Sequence, residues 1–310
     1  MRTIAIDDFG AAPTLHELPT PEPGAGEVLI HVQTSSVNGF DLAVAGGMIR
    51  GLMEHQFPLV LGRDFAGTVV ATGPATSRFA VGDAVFGVVF KPVLHDGAFG
   101  EFVTMPEVFG VTLIPAGLDM TRAGVLGLAG SAARMAVDAV APSAGERVLI
   151  SGATGGVGAY AIQMVAASGA EVIATARPGA EADFVRGLGA ADTINYTQDV
   201  LTAVRSQYPD GVQAVIHLAG DGLRLIEALV PSGRIASTLL VNPDAFAGHD
   251  VRATGVVASF EPARLERLAG EVVSGRLCTT IERTYPLEDV ARAFADFAAG
   301  TRGKLAVTIS

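Results

Sequence analysis

The feature that most constrains this chain is a glycine-rich stretch near its middle, Ser151-Gly152-Ala153-Thr154-Gly155-Gly156-Val157-Gly158. An apolar run, Arg147-Val148-Leu149-Ile150, precedes it as a buried strand would, and residues 160–168 follow with helical spacing. Residues 171–176 read as a second strand and complete a strand–helix–strand unit. Glycines at such a junction serve three ends: a tight turn, close approach of the backbone to a pyrophosphate, and close packing of helix on strand. The start of the helix adds free N–H groups and about half a positive charge. Matched to Gly-x-Gly-x-x-Gly, the stretch runs Ala153-x-Gly155-x-x-Gly158, with alanine in place of the first glycine. Ala153, Thr154, Gly155, Gly156, Val157 and Gly158 are the candidate dinucleotide contacts. The plainer alternative is a turn that only packs the junction.

The same rhythm continues on both sides of this unit. Strands are predicted at 192–195, 214–218 and 233–239, and helices at 121–141, 180–188 and 223–229. Short apolar strands alternating with helices predict a doubly wound α/β domain with a parallel sheet, over residues 119–257. Residues 1–118 instead carry short β-branched runs separated by Pro23-Gly24, Thr72-Gly73-Pro74 and Val81-Gly82-Asp83, which predicts a β-rich domain. In the final segment, 258–310, helices are predicted at 262–274 and 287–299 and strands at 280–285 and 304–309. Two domains agree with a length of 310 residues.

The end of the second strand speaks to the choice of dinucleotide. An NAD site places Asp or Glu there to accept from the ribose hydroxyls. This chain has Thr175-Ala176-Arg177-Pro178. A guanidinium suits a 2′-phosphate, which it can hold with paired, charge-assisted bonds. The residues therefore favour NADPH over NADH, with Thr175 and Arg177 as contacts. The plainer reading of Arg177 is a solvated surface arginine. Ala219, just beyond the predicted strand 214–218, is a further candidate contact.

Composition removes several classes of function. Apolar residues make up 49% of the chain and charged residues 17%, which excludes global disorder. A formal charge of −11 argues against a nucleic-acid partner. The longest uncharged apolar run, near residues 84–90, is far short of the ~18 residues of a membrane span. Cys278 is the sole cysteine, so there is no intrachain disulfide and no paired-cysteine metal knuckle. The opening Met1-Arg2-Thr3-Ile4 lacks an apolar leader, and the expected location is cytoplasmic. No Walker loop forms around Gly303-Lys304, because Leu305 follows where Ser or Thr is needed. A Gly-x-Ser-x-Gly elbow is absent too.

The stretches VLISGATGGVGAYAIQMV, LGRDFAGTVVATG, FAVGDAVFG and the ending RGKLAVTIS together resemble the medium-chain dehydrogenase/reductases, most nearly the zeta-crystallin-like NADPH:quinone oxidoreductases. The likeness covers essentially the whole chain. It implies a GroES-like catalytic domain made from residues 1–118 and the returning segment 258–310, with a Rossmann NADP-binding domain between them. A homodimer paired through the nucleotide-binding domains is also implied. Tyr196 matches a family position that flanks the 2′-phosphate and adenine; the alternative is an aromatic that caps the strand end.

The zinc alcohol dehydrogenases of this superfamily carry Cys-Gly-x-Asp and Gly-His-Glu stretches that supply metal ligands. Here the matching residues are Asn38-Gly39-Phe40-Asp41 and Gly62-Arg63-Asp64. An amide is a poor zinc ligand and a guanidinium repels the ion, so no catalytic metal is expected. Without a Lewis acid, oxidation of a simple alcohol is hard. Hydride addition to a quinone or an enone needs only orientation, hydrogen-bond donors and an apolar slot. Asn38 is the first catalytic candidate, through its amide on the nicotinamide ribose or the substrate carbonyl; the alternative is a buried structural turn. Asp41 could orient Asn38, join a proton relay or cap the next helix. Asp64 is expected to pair with Arg63 or with backbone. Phe40, Phe57, Phe86, Phe90 and Phe99 line a slot or belong to the core.

Two departures limit the likeness. Residues 42–49 lack the tyrosines that some quinone reductases carry, which leaves water as the proton source. The family's LAGxTAW-like segment is Leu128-Ala129-Gly130-Ser131-Ala132-Ala133, with alanine for the threonine that meets the cofactor. The expected function is zinc-independent hydride transfer from NADPH to a quinone or other conjugated carbonyl, in a cleft between two domains. The alternatives are reduction of an enoyl-thioester or alkenal double bond, and a non-catalytic NADPH-binding redox sensor or structural protein.

Overall fold

The apolar runs in the middle of the chain assemble into one six-stranded parallel sheet. Its order is Asp192–Ile194, Glu171–Thr175, Arg147–Ser151, Val212–His217, Leu229–Ser237, Val251–Gly255. The computed structural model describes residues 1–239 and 243–310. Val148, Leu149, Ile150, Val172, Ile173 and Val215 are fully buried, as strands covered on both faces should be. The outermost strand, Val251–Gly255, is missing from the sequence prediction. Its residues alternate between half-buried and exposed, and an edge strand of that kind leaves no apolar run to find.

Other boundaries also move. The predicted helix 121–141 is two helices, Met120–Ala123 and Gly127–Val140, because the chain turns where Gly124 packs on Thr34. A Cβ on Gly124 would lie 2.6 Å from the threonine methyl. Helix 223–229 shrinks to Gly222–Leu225 and a 3₁₀ turn, Ile226–Ala228, since Leu229 already opens the next strand. That strand takes a register shift against its neighbour, which separates the turn from the regular pairing and hides the strand's true start.

Residues 132–259 form one compact unit, and residues 1–131 with 260–310 form the other. The sequence puts these breaks at 118/119 and 257/258; the unit that holds residues 1–131 and 260–310 runs on through Ser131. Its main sheet has seven strands, and the last strand of the chain, Lys304–Thr308, lies antiparallel beside Glu27–Ser36. The pairing sets Ala306 opposite Ser36. Chain ends far apart in sequence therefore meet, and Lys304 comes to rest beside the start of the helix Gly39–Ala45. Phe65, Phe86 and Phe99 are fully buried in this unit. Among the described residues, no helix is long and apolar enough to cross a membrane.

Candidate functional site

In the nucleotide-type unit the chain leaves the strand Arg147–Ser151, turns, and enters the helix Gly156–Ala166. The turn glycine is Gly152, one place earlier than the fingerprint alignment puts it. Gly152 has φ +65°, in the left-handed region where glycine carries no Cβ penalty. Ala153 can thus occupy the expected first-glycine position, fully buried. Gly158 has no alternative residue: an added Cβ would sit 2.5 Å from the Gly152 carbonyl and 2.6 Å from the Ala153 Cα. At Gly155 the nearest such atom is 3.6 Å away, so this side of the backbone stays open for close approach. Gly155 is also the residue before the first helical turn and offers no side chain to cap it. The N–H groups of that turn have no partner within the helix, which is the requirement for holding a pyrophosphate.

Neighbouring strands brace the loop. Thr175 Oγ1 accepts from the Gly152 N–H at 3.0 Å, and Thr175 is itself buried. The Thr175 hydroxyl, at a candidate cofactor contact, thus braces the turn as an acceptor and keeps its own O–H to donate. Ser151 Oγ accepts from the Leu218 N–H at 3.1 Å. His217 Nε2 donates to the Gly220 carbonyl at 3.0 Å, which fixes the bend that carries the exposed Ala219. Ser151 and His217 escaped the sequence analysis because such roles leave no spacing to detect.

At the end of the strand Glu171–Thr175, the candidate residues Arg177 and Tyr196 come together, with the guanidinium carbon 5.9 Å from the ring centroid. A third residue joins them. Glu181, in the first turn of the helix Ala180–Gly187, accepts from Arg177 Nε at 2.8 Å, from Nη2 at 2.5 Å and from the Tyr196 hydroxyl at 3.2 Å. Its other oxygen accepts the Arg177 backbone N–H at 2.8 Å. The Arg177 side chain is 55% exposed and that of Glu181 only 13%. Arg177 holds the Glu181 carboxyl below the ordinary carboxylate range despite its burial. A carboxylate is thus present at this strand end after all, delivered from four residues downstream. The i, i+4 spacing of Arg177 and Glu181 was the available signal.

The other unit holds a buried charged cluster. Lys304 Nζ donates to Asn38 Oδ1 at 2.5 Å, to the Val37 carbonyl at 3.1 Å and to Asp64 Oδ2 at 3.4 Å, which engages all three of its donors. Asn38 Nδ2 donates to Asp64 Oδ2 at 2.9 Å and to the Ser36 carbonyl at 3.2 Å. Asp64 also accepts from Ser36 Oγ at 2.5 Å and, through Oδ1, from the Leu128 N–H at 2.6 Å. Ser36, Asn38, Asp64 and Lys304 are all buried. Of the two expected partners for Asp64, backbone is found, at the Leu128 N–H, while the ionic partner is Lys304 and not Arg63. Lys304 was missed because its Gly-Lys context was tested only as a phosphate loop. The better clue is a lysine that opens an otherwise apolar strand.

Asp41 caps the helix Gly39–Ala45 by accepting the Asn38 N–H at 2.8 Å. Burial pushes its carboxyl up to about 7, opposed by the Arg63 cation. Arg63 is buried, donates to the Val89 carbonyl at 3.3 Å, and lies over the Phe40 ring at 5.3 Å. Burial lowers the Lys304 ammonium below its ordinary value, against the pull of Asp64 and Asp41. Of the phenylalanines, Phe86 and Phe99 are core, Phe40 and Phe57 pack on it half-buried, and Phe90 is exposed against Phe109 and Phe260. Ser131 is buried as well.

This donor set does not fit zinc. The amide at Asn38 is engaged by an ammonium and a carboxylate, the residue at the histidine-ligand position is the buried cation Arg63, and the described residues contain no group of three or more His, Cys, Asp or Glu that could hold a metal.

Residues 24–116 match the alcohol dehydrogenase GroES-like domain family, and residues 188–307 match the zinc-binding dehydrogenase family. The quinone-oxidoreductase QR1, chloroplastic, of Triphysaria versicolor is 33% identical over 71% of this chain and 68% of its own length. The chloroplast envelope quinone oxidoreductase homolog of Arabidopsis thaliana is 28% identical over 92% of this chain and 91% of its own. Among solved structures, the quinone oxidoreductase from Coxiella burnetii superposes with a TM-score of 0.91 at 29% identity, covering 100% of this chain and 99% of that one.

Proposed function

Because the chain belongs to the medium-chain dehydrogenase/reductase superfamily and is an oxidoreductase, we propose that it transfers hydride from NADPH to a quinone or other conjugated carbonyl without zinc. The observation that carries this reading is the Gly152 turn, which leads the strand Arg147–Ser151 into an uncapped helix start, in one unit with the Arg177–Tyr196 pair at the adjoining strand end. The backbone N–H groups of residues 156–158 would hold the pyrophosphate, and Arg177 with Tyr196 the 2′-phosphate end. When bound, the reduced nicotinamide supplies the hydride, so the protein's own share is binding, orientation and exclusion of water.

Asn38 and Asp41 act in this reading as positioning residues. Both N–H donors of the Asn38 amide are engaged inside the fold, and Asp41 holds the Asn38 backbone at the helix start. Asn38 and Arg63 at the two ligand positions, poor and repulsive partners for zinc, support an acceptor whose own conjugation takes up the negative charge, with the final proton drawn from water. Quinones lead the acceptor classes because the relatives above are named as quinone oxidoreductases. The proposal includes a homodimer, measurable by sedimentation.

An acceptor panel tests the reading. NADPH consumption should rise with 1,4-benzoquinone-type acceptors and simple enones, and no NADPH should form from NADP with simple alcohols. Turnover confined to enoyl-thioesters would move the chain to double-bond reduction. Tight NADPH binding with no acceptor reduced across the panel would make it a binding protein.

A further inference from the structure

We propose that Glu181 is a specificity-determining residue that works against NADPH, by occupying on Arg177 the seat a 2′-phosphate would take; the inference rests on the NADPH reading above. Two Arg177 nitrogens, Nε and Nη2, point at one carboxylate oxygen, at 2.8 and 2.5 Å, and the Tyr196 hydroxyl points at the same oxygen from 3.2 Å. Three donors converging on one anionic oxygen is the pattern that a phosphate oxygen would otherwise satisfy. The carboxylate is anchored from behind, because its second oxygen holds the Arg177 backbone N–H at 2.8 Å and its side chain is 13% exposed. A dianionic phosphate arriving at Arg177 must displace Glu181 or share the guanidinium with it at close range, and the two anions repel. NADH meets no such conflict. Its ribose hydroxyls are donors, and a carboxylate at this strand end is the partner they ordinarily find. Arg177 thus favours NADPH while Glu181 reduces that preference, so the selectivity of the wild-type chain is their difference.

Dissociation constants for NADPH and NADH, measured by fluorescence titration on the full chain, test this with Glu181→Gln, Glu181→Ala and Arg177→Gln. Both Glu181 variants should tighten NADPH by about tenfold and leave NADH no tighter. If Arg177→Gln weakens NADPH selectively while both Glu181 variants leave NADPH unchanged, the inference is overturned and the NADPH reading stands. The inference is overturned equally if the Glu181 variants weaken NADPH, since Glu181 would then be preparing Arg177 for the phosphate. Should Arg177→Gln leave the NADPH-to-NADH ratio unchanged, the NADPH reading falls and this inference with it.

Discussion

Two ion pairs in this molecule use similar groups and do different work. Lys304 and Asp64 face each other at 3.4 Å with side chains 3% and 0% exposed. Arg177 and Glu181 meet at 2.5 Å with the arginine more than half exposed. By distance alone the second pair is the stronger, yet water decides otherwise. The buried pair has lost its hydration and depends on Asn38, Ser36 and the Val37 and Leu128 backbone to replace it, so removing any member leaves an uncompensated polar group. The exposed pair keeps its guanidinium within reach of solvent and ligand, so a ligand can compete with Glu181 for it. Burial turns one pair into scaffold and leaves the other available for recognition.

The largest effect should come from breaking the buried pair. Lys304→Met leaves the Asp64 carboxylate enclosed without its cation and should remove about 3–5 kcal/mol of stability in urea unfolding. Adding Asp64→Asn to it should restore much of the loss. A Lys304→Met chain as stable as wild type would mean that the two regions do not differ in this way.

Asp41 sharpens the contrast through pH. Its carboxyl is raised from 3.8 to about 7 by burial, so the folded state prefers it neutral. That contribution is fully present below the ordinary value near 3.8 and is lost as pH climbs through about 7. Relative to Asp41→Asn, which keeps an acceptor for the Asn38 N–H, wild type should lose stability from pH 4 to 8, each pKa unit being worth about 1.4 kcal/mol. Parallel urea midpoints for the two chains across that range would contradict the assignment.

In the nucleotide-type unit the effects should fall on binding. Gly158→Ala forces a methyl against the Gly152 carbonyl, and an overpacked contact of this kind typically costs about 1–3 kcal/mol. NADPH and NADH should both bind more weakly in isothermal titration, because the proposed pyrophosphate seat, which the two share, would be distorted. Smallest in stability is Arg177→Asp, whose melting temperature should barely move while NADPH weakens by about tenfold or more and NADH does not. Equal losses for the two dinucleotides would take Arg177 out of the phosphate site.

Much of this was legible in the sequence wherever a local pattern carried it. The parallel strands announced themselves as apolar runs, and Gly155 and Gly158 by their place between strand and helix. Val251–Gly255 was not legible, because an edge strand with one face in solvent shows polar alternation. At the candidate sites the failures share one cause. Lys304 reaches Asn38 across 266 positions, and no window of sequence contains both. Glu181 lies only four residues from Arg177, but its meaning depends on the strand end to which the fold brings it. Gly152 carries the turn that the fingerprint assigns to its neighbour, a distinction visible only in φ.

The proposed hydride transfer draws on a nicotinamide dinucleotide and on no metal. The direct test is NADPH oxidation by 1,4-benzoquinone after exhaustive chelation, with metal content assayed on the same sample. Turnover should be undiminished in protein free of zinc. Activity that disappears on chelation and returns only with added zinc would contradict it.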